Sequence, residues 1–170
     1  GENKSMVDSL NVFPVPDGDT GTNMYLTVSA ALKEAQKSPD SNVGAVADAI
    51  AIGSLMGARG NSGVIFSQLM RGFAKRLHGL AVASPSDVGA ALAEAASVAY
   101  KAVMKPVEGT ILTVARMGAR AAVSAARDGR DVQGVLDEAI RQGEITLNKT
   151  PDMLPTLKEA GVVDAGGKGL

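Results

Sequence analysis

The 170-residue sequence contains no cysteine and very few aromatic side chains. Without cysteine, the chain forms no disulfide, holds no metal through thiolates and has no cysteine nucleophile. Aromatic residues make up 3% of the chain and hydrophobic residues 45%. The core must therefore be built from alanine, valine, leucine, isoleucine and methionine, and the alanine-rich runs favour helix.

The sequence also lacks an excess of charge and a long apolar run. Its formal net charge of −1 indicates no affinity for nucleic acid or for an anionic membrane surface. No apolar run reaches the length of a membrane span, and no signal peptide is visible. We therefore expect a cytoplasmic protein with no nucleic-acid partner and no integral membrane segment. The length suits one domain, residues 1–170, with its own core.

Apolar residues recur at helical spacing along most of the chain, and no period-two strand pattern occurs. The predicted fold class is all-α, a bundle of amphipathic helices. In the first helix, Met24, Val28 and Leu32 define the expected buried face. Segment 43–56 is apolar nearly all round, which predicts a central helix, and Met104 is expected in the core. The predicted helices cover about 23–37, 43–56 and 110–127. A further helix follows Asn61 with apolar residues repeating to Leu77, another begins at Pro85 with an apolar stripe to Ala99, and a last one begins at residue 131.

Helix ends are marked by residues that cap them. Ser84 is followed by Pro85 and Asp87, a capping-box pattern that predicts a helix beginning at residue 85. Gly129 predicts the end of the helix before it, and Asp131 predicts the start of the next.

Four glycine-dense segments with Asp, Asn, Ser and Thr separate the helices. Each leads into a helix or, for the fourth, to the end of the sequence, so together they predict one shared anion site. The alternative is that each segment is only a turn, because Gly, Asn and Asp are common turn residues. The four segments, called glycine loops 1 to 4, are 16-PDGDTGTN-23, 57-GARGNSG-63, 105-KPVEGT-110 and 161-GVVDAGGKG-169.

Asp17-Gly18-Asp19 is the strongest candidate for metal binding. Two carboxylates separated by a glycine can turn their oxygens toward one point, and magnesium prefers oxygen ligands. The first cation downstream is Lys33, so the two charges should repel each other unless a metal is bound. The alternative is a solvated turn in which Asp19 or Thr20 caps the following helix.

Residues 20–23 and 60–63 open two helices with backbone N–H groups, hydroxyls and amides, which suit phosphate oxygens. Neither segment is a Walker A loop, because the terminal Gly-Lys-Ser/Thr is missing. No G-x-G-x-x-G follows a strand, so a Rossmann site is not supported.

Segments 11–24, 57–63, 105–110 and 162–168 together resemble the DhaL-like family, and more narrowly its fatty acid kinase branch. The resemblance implies a barrel of antiparallel amphipathic helices that binds ATP or ADP at one end through two Mg²⁺ ions. It implies metal binding by Asp17 and Asp19. It also implies nucleotide binding by Thr20, Gly21, Thr22, Asn23, Asn61, Ser62, Gly63, Thr110, Ile111, Asp164, Ala165 and Gly166.

The sequence departs from dihydroxyacetone kinases at three places. Asn11 stands where those enzymes have a further metal-binding aspartate, so Asn11 is expected in the metal shell, with Asp8 as the alternative. Thr20 replaces a histidine, as in the fatty acid kinase branch. Segment 150–161 replaces an arginine-containing lid and is expected near the adenine, through Met153 and Leu154.

The resemblance implies a kinase domain that transfers the γ-phosphate of ATP to an acceptor on a partner protein. The expected acceptor is a fatty acid carboxylate on an acyl-binding protein, which gives an acyl phosphate. The alternatives are an ADP-binding L-type subunit of a dihydroxyacetone kinase and a non-catalytic, nucleotide-loaded regulatory module. We expect the chain to be a fragment of a longer multidomain protein, whose remainder would allow a homodimer.

Four other polar residues are weaker candidates. His78 is expected to cap a helix or compensate its dipole. Arg59 is a candidate to neutralise phosphate charge, and Lys168 to approach a phosphate. Glu108 is expected to cap the helix after Thr110 or to hold a metal-bound water.

Overall fold

The computed structural model describes residues 1–38 and 41–170, and these residues form ten α-helices and no strand. The predicted all-α class is therefore confirmed. The helices are α1 (Lys4–Ser9), α2 (Thr20–Lys37), α3 (Val43–Met56), α4 (Gly60–Leu77), α5 (Pro85–Ala102), α6 (Ile111–Arg127), α7 (Val132–Asn148), α8 (Thr150–Met153), α9 (Pro155–Ala160) and α10 (Ala165–Gly169).

The predicted helix boundaries agree closely with the structure. α3 begins and ends at the predicted residues. α5 has the predicted capping box: the side chain of Ser84 accepts from the backbone N–H of Asp87, and the side chain of Asp87 accepts from the backbone N–H of Ser84. Asp131 caps α7 by accepting the N–H of Gly134 at 2.8 Å. The short helices α1, α8, α9 and α10 were not predicted, because each is too short to show a hydrophobic period.

Successive long helices pack against one another from α2 to α7, and α2 also contacts α4. The short α10 lies against α1, α2, α6 and α7, so it connects the beginning of the bundle to its end. None of the described helices combines the length and the apolar character needed to cross a membrane.

Small side chains allow the helices to approach closely. Ala91, Ala99 and Ala122 are fully buried. A methyl group added at Gly72 of α4 would lie 2.6 Å from the backbone oxygen of Glu94 in α5. Open spaces also remain between some of the described helices. An apolar cavity of about 360 Å³ lies among α4 to α7 and α10, and a groove of about 570 Å³ lies between α5 and α6.

Three expectations about burial are wrong. α3 is not central, because Ile52 is 54% and Met56 77% exposed. Val28 and Leu32 of α2 and Met104 after α5 are also exposed. The physical reason is that α2 and α3 pack through their small residues, which permit a shorter distance between helices than large side chains do. The buried residues of these two helices are Thr20, Gly21, Met24, Thr27, Ala31, Gly44, Ala47, Gly53 and Ser54.

Gly72→Ala tests the close approach of α4 and α5. We expect the substitution to lower the free energy of unfolding by about 1–3 kcal/mol, because the added methyl group meets backbone atoms that cannot move aside. Gly143→Ala in α7 is the matched control, since its added methyl group would lie 3.7 Å from the nearest atom, in Val114. There the gain in helix propensity should raise stability by about 0.5–1 kcal/mol. Urea unfolding of both variants measures the difference, and equal effects would contradict the packing argument.

Candidate functional site

Glycine loops 1 to 4 lie at one end of the bundle, where the N-termini of α2, α4, α6 and α10 meet. The hydroxyl of Ser62 donates to the backbone oxygen of Thr20 at 3.4 Å, which joins loops 1 and 2. A methyl group at Gly166 would meet Ile111 at 3.2 Å, which joins loops 3 and 4. Gly169, at the other end of the short α10, faces Met24. The structure therefore brings the sequence-predicted residues of all four loops into one region.

The N-terminus of α2 is capped by Asn11, which lies outside the helix. The Oδ1 atom of Asn11 accepts three hydrogen bonds: from the Thr20 hydroxyl at 2.7 Å, the Thr20 N–H at 3.2 Å and the Asp19 N–H at 3.3 Å. Its Nδ2 atom donates to the backbone oxygen of Val15 at 2.9 Å. The buried Asn11 side chain thus joins the loop before α2 to the first residue of the helix.

Asp8 of α1 caps the next part of the same helix. Its two carboxylate oxygens accept the N–H of Thr22 at 2.9 Å and the Thr22 hydroxyl at 2.8 Å. Partial burial alone would raise the pKa of Asp8, but the hydrogen bonds from Thr22 and Gly21 outweigh it and hold that pKa below its usual value. Asp8 is therefore a charged cap at neutral pH.

These contacts change the expected role of Thr20 to Thr22. The sequence suggested that their N–H groups and hydroxyls are free for phosphate oxygens, whereas the structure shows those of Thr20 and Thr22 bonded to Asn11 and Asp8. Gly21 allows α1 to approach, because a methyl group there would lie 2.3 Å from the backbone oxygen of Lys4. The reason for the difference is α1, a helix that the sequence pattern did not reveal.

Asp17 and Asp19 have free carboxylates. Neither side chain has a hydrogen bond or an ion pair with any residue of the described chain. Asp19 is the N-cap residue of α2, yet its side chain does not cap the helix. The described residues contain no group of three or more His, Cys, Asp or Glu side chains placed to hold a metal ion. A cation held here would take two protein carboxylates and complete its shell with phosphate oxygens and water, which suits magnesium.

The N-terminus of α4 is open. Its N-cap residue, Arg59, makes no side-chain cap, and the N–H groups of Gly60, Asn61 and Ser62 have no hydrogen-bond partner in the described chain. Arg59 is exposed, and its guanidinium donates to the backbone oxygen of Ala58 at 3.1 Å. Unpaired N–H groups and a cation at the positive end of a helix favour a bound anion.

Loop 3 is held by Glu108. Its carboxylate accepts from the hydroxyl of Thr113 at 2.8 Å, from Tyr100 at 3.0 Å and from the guanidinium of Arg116 at 2.7 Å. Partial burial opposes the ionised form, but these bonds lower the pKa of Glu108 overall. Glu108 therefore fixes loop 3 to α5 and α6 instead of capping α6 at its first residues. Thr110 is the N-cap residue of α6.

Asp164 joins α10 to α6 and lies in the interior. Its carboxylate accepts the N–H of Gly167 at 2.7 Å and caps α10, and it also accepts from the backbone of Ile111. Burial raises the pKa of Asp164 to about 6, and the two backbone bonds offset only part of this effect. Ala165 is buried and Gly166 half-buried beside Ile111.

The remaining candidates divide between the site and the rest of the surface. Met153 and Leu154 lie against Gly109 of loop 3, so segment 150–161 borders the site. Lys168 is exposed at the rim of the apolar cavity. His78 bonds to Asp48 at 2.7 Å, a surface contact with no link to the four loops.

The sequence analysis did not identify Glu108 as the residue that anchors loop 3. Its partners lie five to eight residues away along the chain, in two different helices.

Asp164→Asn tests the buried carboxyl group. The pKa of Asp164 is raised from 3.8 to about 6 in the folded protein. Between these two values the folded protein keeps Asp164 protonated, whereas the unfolded chain ionises it. We expect the stability of the wild type relative to Asp164→Asn to fall by on the order of 3 kcal/mol as pH rises from about 3.5 to 7. Urea unfolding of both proteins across this range measures the difference. A difference in stability that stays constant with pH would contradict the assignment.

Comparison with known proteins assigns the family. A model of the DAK2 domain matches residues 14–170. Protein YloV of Bacillus subtilis (strain 168) is 51% identical over 169 residues, which is 99% of this chain and 31% of that protein. An uncharacterized protein of Staphylococcus haemolyticus is 50% identical over 168 residues, 99% of this chain and 30% of its own length.

The chain thus spans about a third of the length of these curated relatives, 30% and 31% in the two cases. DhaL-like DAK2 domains bind ADP or ATP and work with partner subunits. On the match across residues 14–170, this chain belongs to the DAK2 domain family, a family of kinase-related, nucleotide-binding domains.

Proposed function

We propose that the domain binds ATP with magnesium and presents the γ-phosphate to an acceptor held by a partner protein. The observation that carries the proposal is the pairing of two unpartnered carboxylates, Asp17 and Asp19, with the open N-terminus of α4. Carboxylates alone would repel a nucleotide, and N–H groups alone would not hold a cation. Together they suit a phosphate chain that carries magnesium.

Asp17 and Asp19 are the residues that would hold the metal, and we propose two ions, as the family resemblance implies. Magnesium, when bound, offsets the negative charge of the phosphate oxygens during transfer. The protein contributes by fixing the position of the carboxylates. Asp19 lies at the start of a helix whose first residues are held by Asn11 and Asp8. The carboxylates are therefore presented from a rigid support, which lowers the entropy lost on binding.

The N–H groups of Gly60, Asn61 and Ser62 would receive phosphate oxygens, and Arg59 would add positive charge beside them. On the other side, Ile111 meets Asp164 and Gly166, and Gly109 lies against Met153. We propose that this second region contacts the sugar and the base. Gly109, which has a positive φ of 84°, allows loop 3 to pass close to Met153 and Leu154.

We propose a fatty acid carboxylate, carried by an acyl-binding protein, as the acceptor. A carboxylate is already a nucleophile at neutral pH, so transfer to it requires no general base. This suits the four loops, where no histidine occurs. The apolar cavity among α4 to α7 includes Gly167 and Lys168 of loop 4 but none of Asp17, Asp19, Asn61 or Ser62. The proposed acceptor therefore arrives on another protein.

Asp17→Ala and Asp19→Ala test the metal assignment. We expect each to abolish magnesium-dependent ATP binding and to leave the helical fold intact, because neither carboxylate supports another residue. Asp128→Ala is the matched control: Asp128 is an exposed aspartate at the far end of α6 from Thr110. Calorimetry with ATP, with and without Mg²⁺, gives the affinities. Unchanged affinity in both variants would remove the metal assignment.

The isolated chain should show negligible phosphoryl transfer to free fatty acid. No partner holds the carboxylate within attack distance, so the advantage of a fixed geometry is lost. Transfer should appear when the full-length protein is combined with an acyl-carrying partner, and it should require magnesium. The measurement is acyl-phosphate formation by the chain alone, by the chain with the partner and by the full-length protein with the partner.

The outcomes of this assay separate the candidate functions. Rapid turnover of free fatty acid by the chain alone would show that the apolar cavity is an acceptor site. Tight nucleotide binding without turnover in any combination would favour a regulatory domain. Transfer only with a dihydroxyacetone-carrying partner would favour an L-type subunit.

A further inference from the structure

We propose that Asn11 and Asp8 are positioning residues that cap α2 from outside and so leave Asp17 and Asp19 free to bind the cation. Neither Asn11 nor Asp8 is itself a metal ligand in this assignment. The inference rests on the proposed function, since it concerns how the chain prepares that same site.

The behaviour of Asp19 is the first step. An aspartate at the N-cap position normally accepts an N–H from the first turn of its own helix. Asp131 does this for α7 and Asp164 for α10. Asp19 occupies the same position in α2, but its side chain makes no such bond. The N–H groups that an N-cap side chain ordinarily binds, here those of Gly21 and Thr22, are bonded to Asp8 instead, so the Asp19 carboxylate is left free.

Asn11 satisfies the N–H groups that come just before these, those of Asp19 and Thr20, and its side chain is fully occupied. Its Oδ1 atom accepts three hydrogen bonds, and its Nδ2 atom is bonded to Val15. A carbonyl oxygen has two lone pairs, so an Oδ1 atom that already accepts three bonds has no capacity left for a metal ion. The amide is also neutral, so it caps the helix without adding a third negative charge beside Asp17 and Asp19.

Asp8 accepts the N–H groups that follow, those of Gly21 and Thr22. Both of its carboxylate oxygens are engaged by Thr22, one by the N–H and one by the hydroxyl. This side chain comes from α1, whose approach depends on the absence of a side chain at Gly21. The two caps therefore act on consecutive parts of the first turn, Asn11 on Asp19 and Thr20, and Asp8 on Thr22.

Removing a cap should affect metal binding without removing a ligand. In Asp8→Ala the N–H groups of Gly21 and Thr22 lose their acceptor, and Asp19, as the N-cap residue, is placed to replace it. In Asn11→Ala the bonds that hold Asp19 and Thr20 at the start of the helix are lost, so Asp19 is no longer fixed in position. Once Asp19 caps its own helix, as Asp131 does, the pair available to the cation is broken. We therefore expect Asn11→Ala and Asp8→Ala to weaken MgADP binding by on the order of tenfold, because Asp19 is then no longer held in place as a free ligand.

The test has one readout that requires no nucleotide. Amide hydrogen exchange of the metal-free chain should be at least about tenfold faster at Thr20 in Asn11→Ala than in the wild type. In Asp8→Ala the N–H of Thr22 keeps an acceptor in Asp19, so its exchange should become about tenfold faster only in the double variant Asp8→Ala/Asp19→Ala. Unchanged exchange at Thr20 in Asn11→Ala and at Thr22 in the double variant would overturn the proposal.

The second readout is calorimetry with ADP, measured with and without Mg²⁺. The expected result is a loss of affinity confined to the magnesium-containing titration. Asp8→Asn should bind MgADP nearly as the wild type does, because the amide oxygen still accepts the N–H of Thr22. A loss in Asp8→Asn equal to that in Asp8→Ala would show that the charge of Asp8 acts on the metal, and would overturn the assignment for Asp8.

Asp131→Ala is the matched control, because it removes an N-cap of the same chemistry from α7, a helix that does not begin at the site. It should lower the free energy of unfolding to a similar extent and leave MgADP affinity unchanged. Equal losses of MgADP affinity in Asp131→Ala and Asn11→Ala would reduce the effect to general stability and overturn the proposal. Failure of the wild type to bind either MgADP or MgATP would instead refute the proposed function.

Discussion

The unpaired N–H groups at helix N-termini are the constraint on which this structure depends. Four helices begin at the same end of the bundle, and each brings N–H groups that need acceptors. Asn11 and Asp8 supply acceptors for α2, and Asp164 supplies them for α10 and contacts Ile111 of α6. At α4, by contrast, none of the first three N–H groups has an acceptor among the described residues, and the N-cap residue Arg59 makes no side-chain cap. The proposed phosphate site follows from this difference.

The small side chains of the core allow the helix N-termini to lie close together. Helices that meet through glycine and alanine can bring their ends close together, as Gly72 and Gly53 allow for α4 and α3. The cost is that large apolar residues such as Ile52 and Met56 remain at the surface. The chain covers about a third of its curated relatives, 31% for the Bacillus protein. In the longer proteins, further segments are available to contact this surface.

Much of the fold, and the gathering of the four glycine loops at one end of the bundle, were predictable from the sequence. The capping box at Ser84 and Asp87 is a local interaction, and the structure contains it. The faces of α2 and α3 were not predictable, because the hydrophobic period does not reveal that packing occurs through Thr27, Ala31 and Gly53. α1 was not predictable either, since six residues are too few to show a period. Its absence from the prediction is the reason that the N–H groups of α2 were expected to be free.

The sequence by itself determined the helical class, most helix boundaries and the four glycine loops, because each depends on residues within a few positions of one another. The tertiary structure decided which polar groups in those loops remain available. Asp8 reaches Thr22 across 14 residues, and Ser62 reaches Thr20 across 42. A carboxylate or an N–H group is free only when no neighbour in space is bonded to it. That condition depends on the packing of α1, α4 and α10, which no local pattern records.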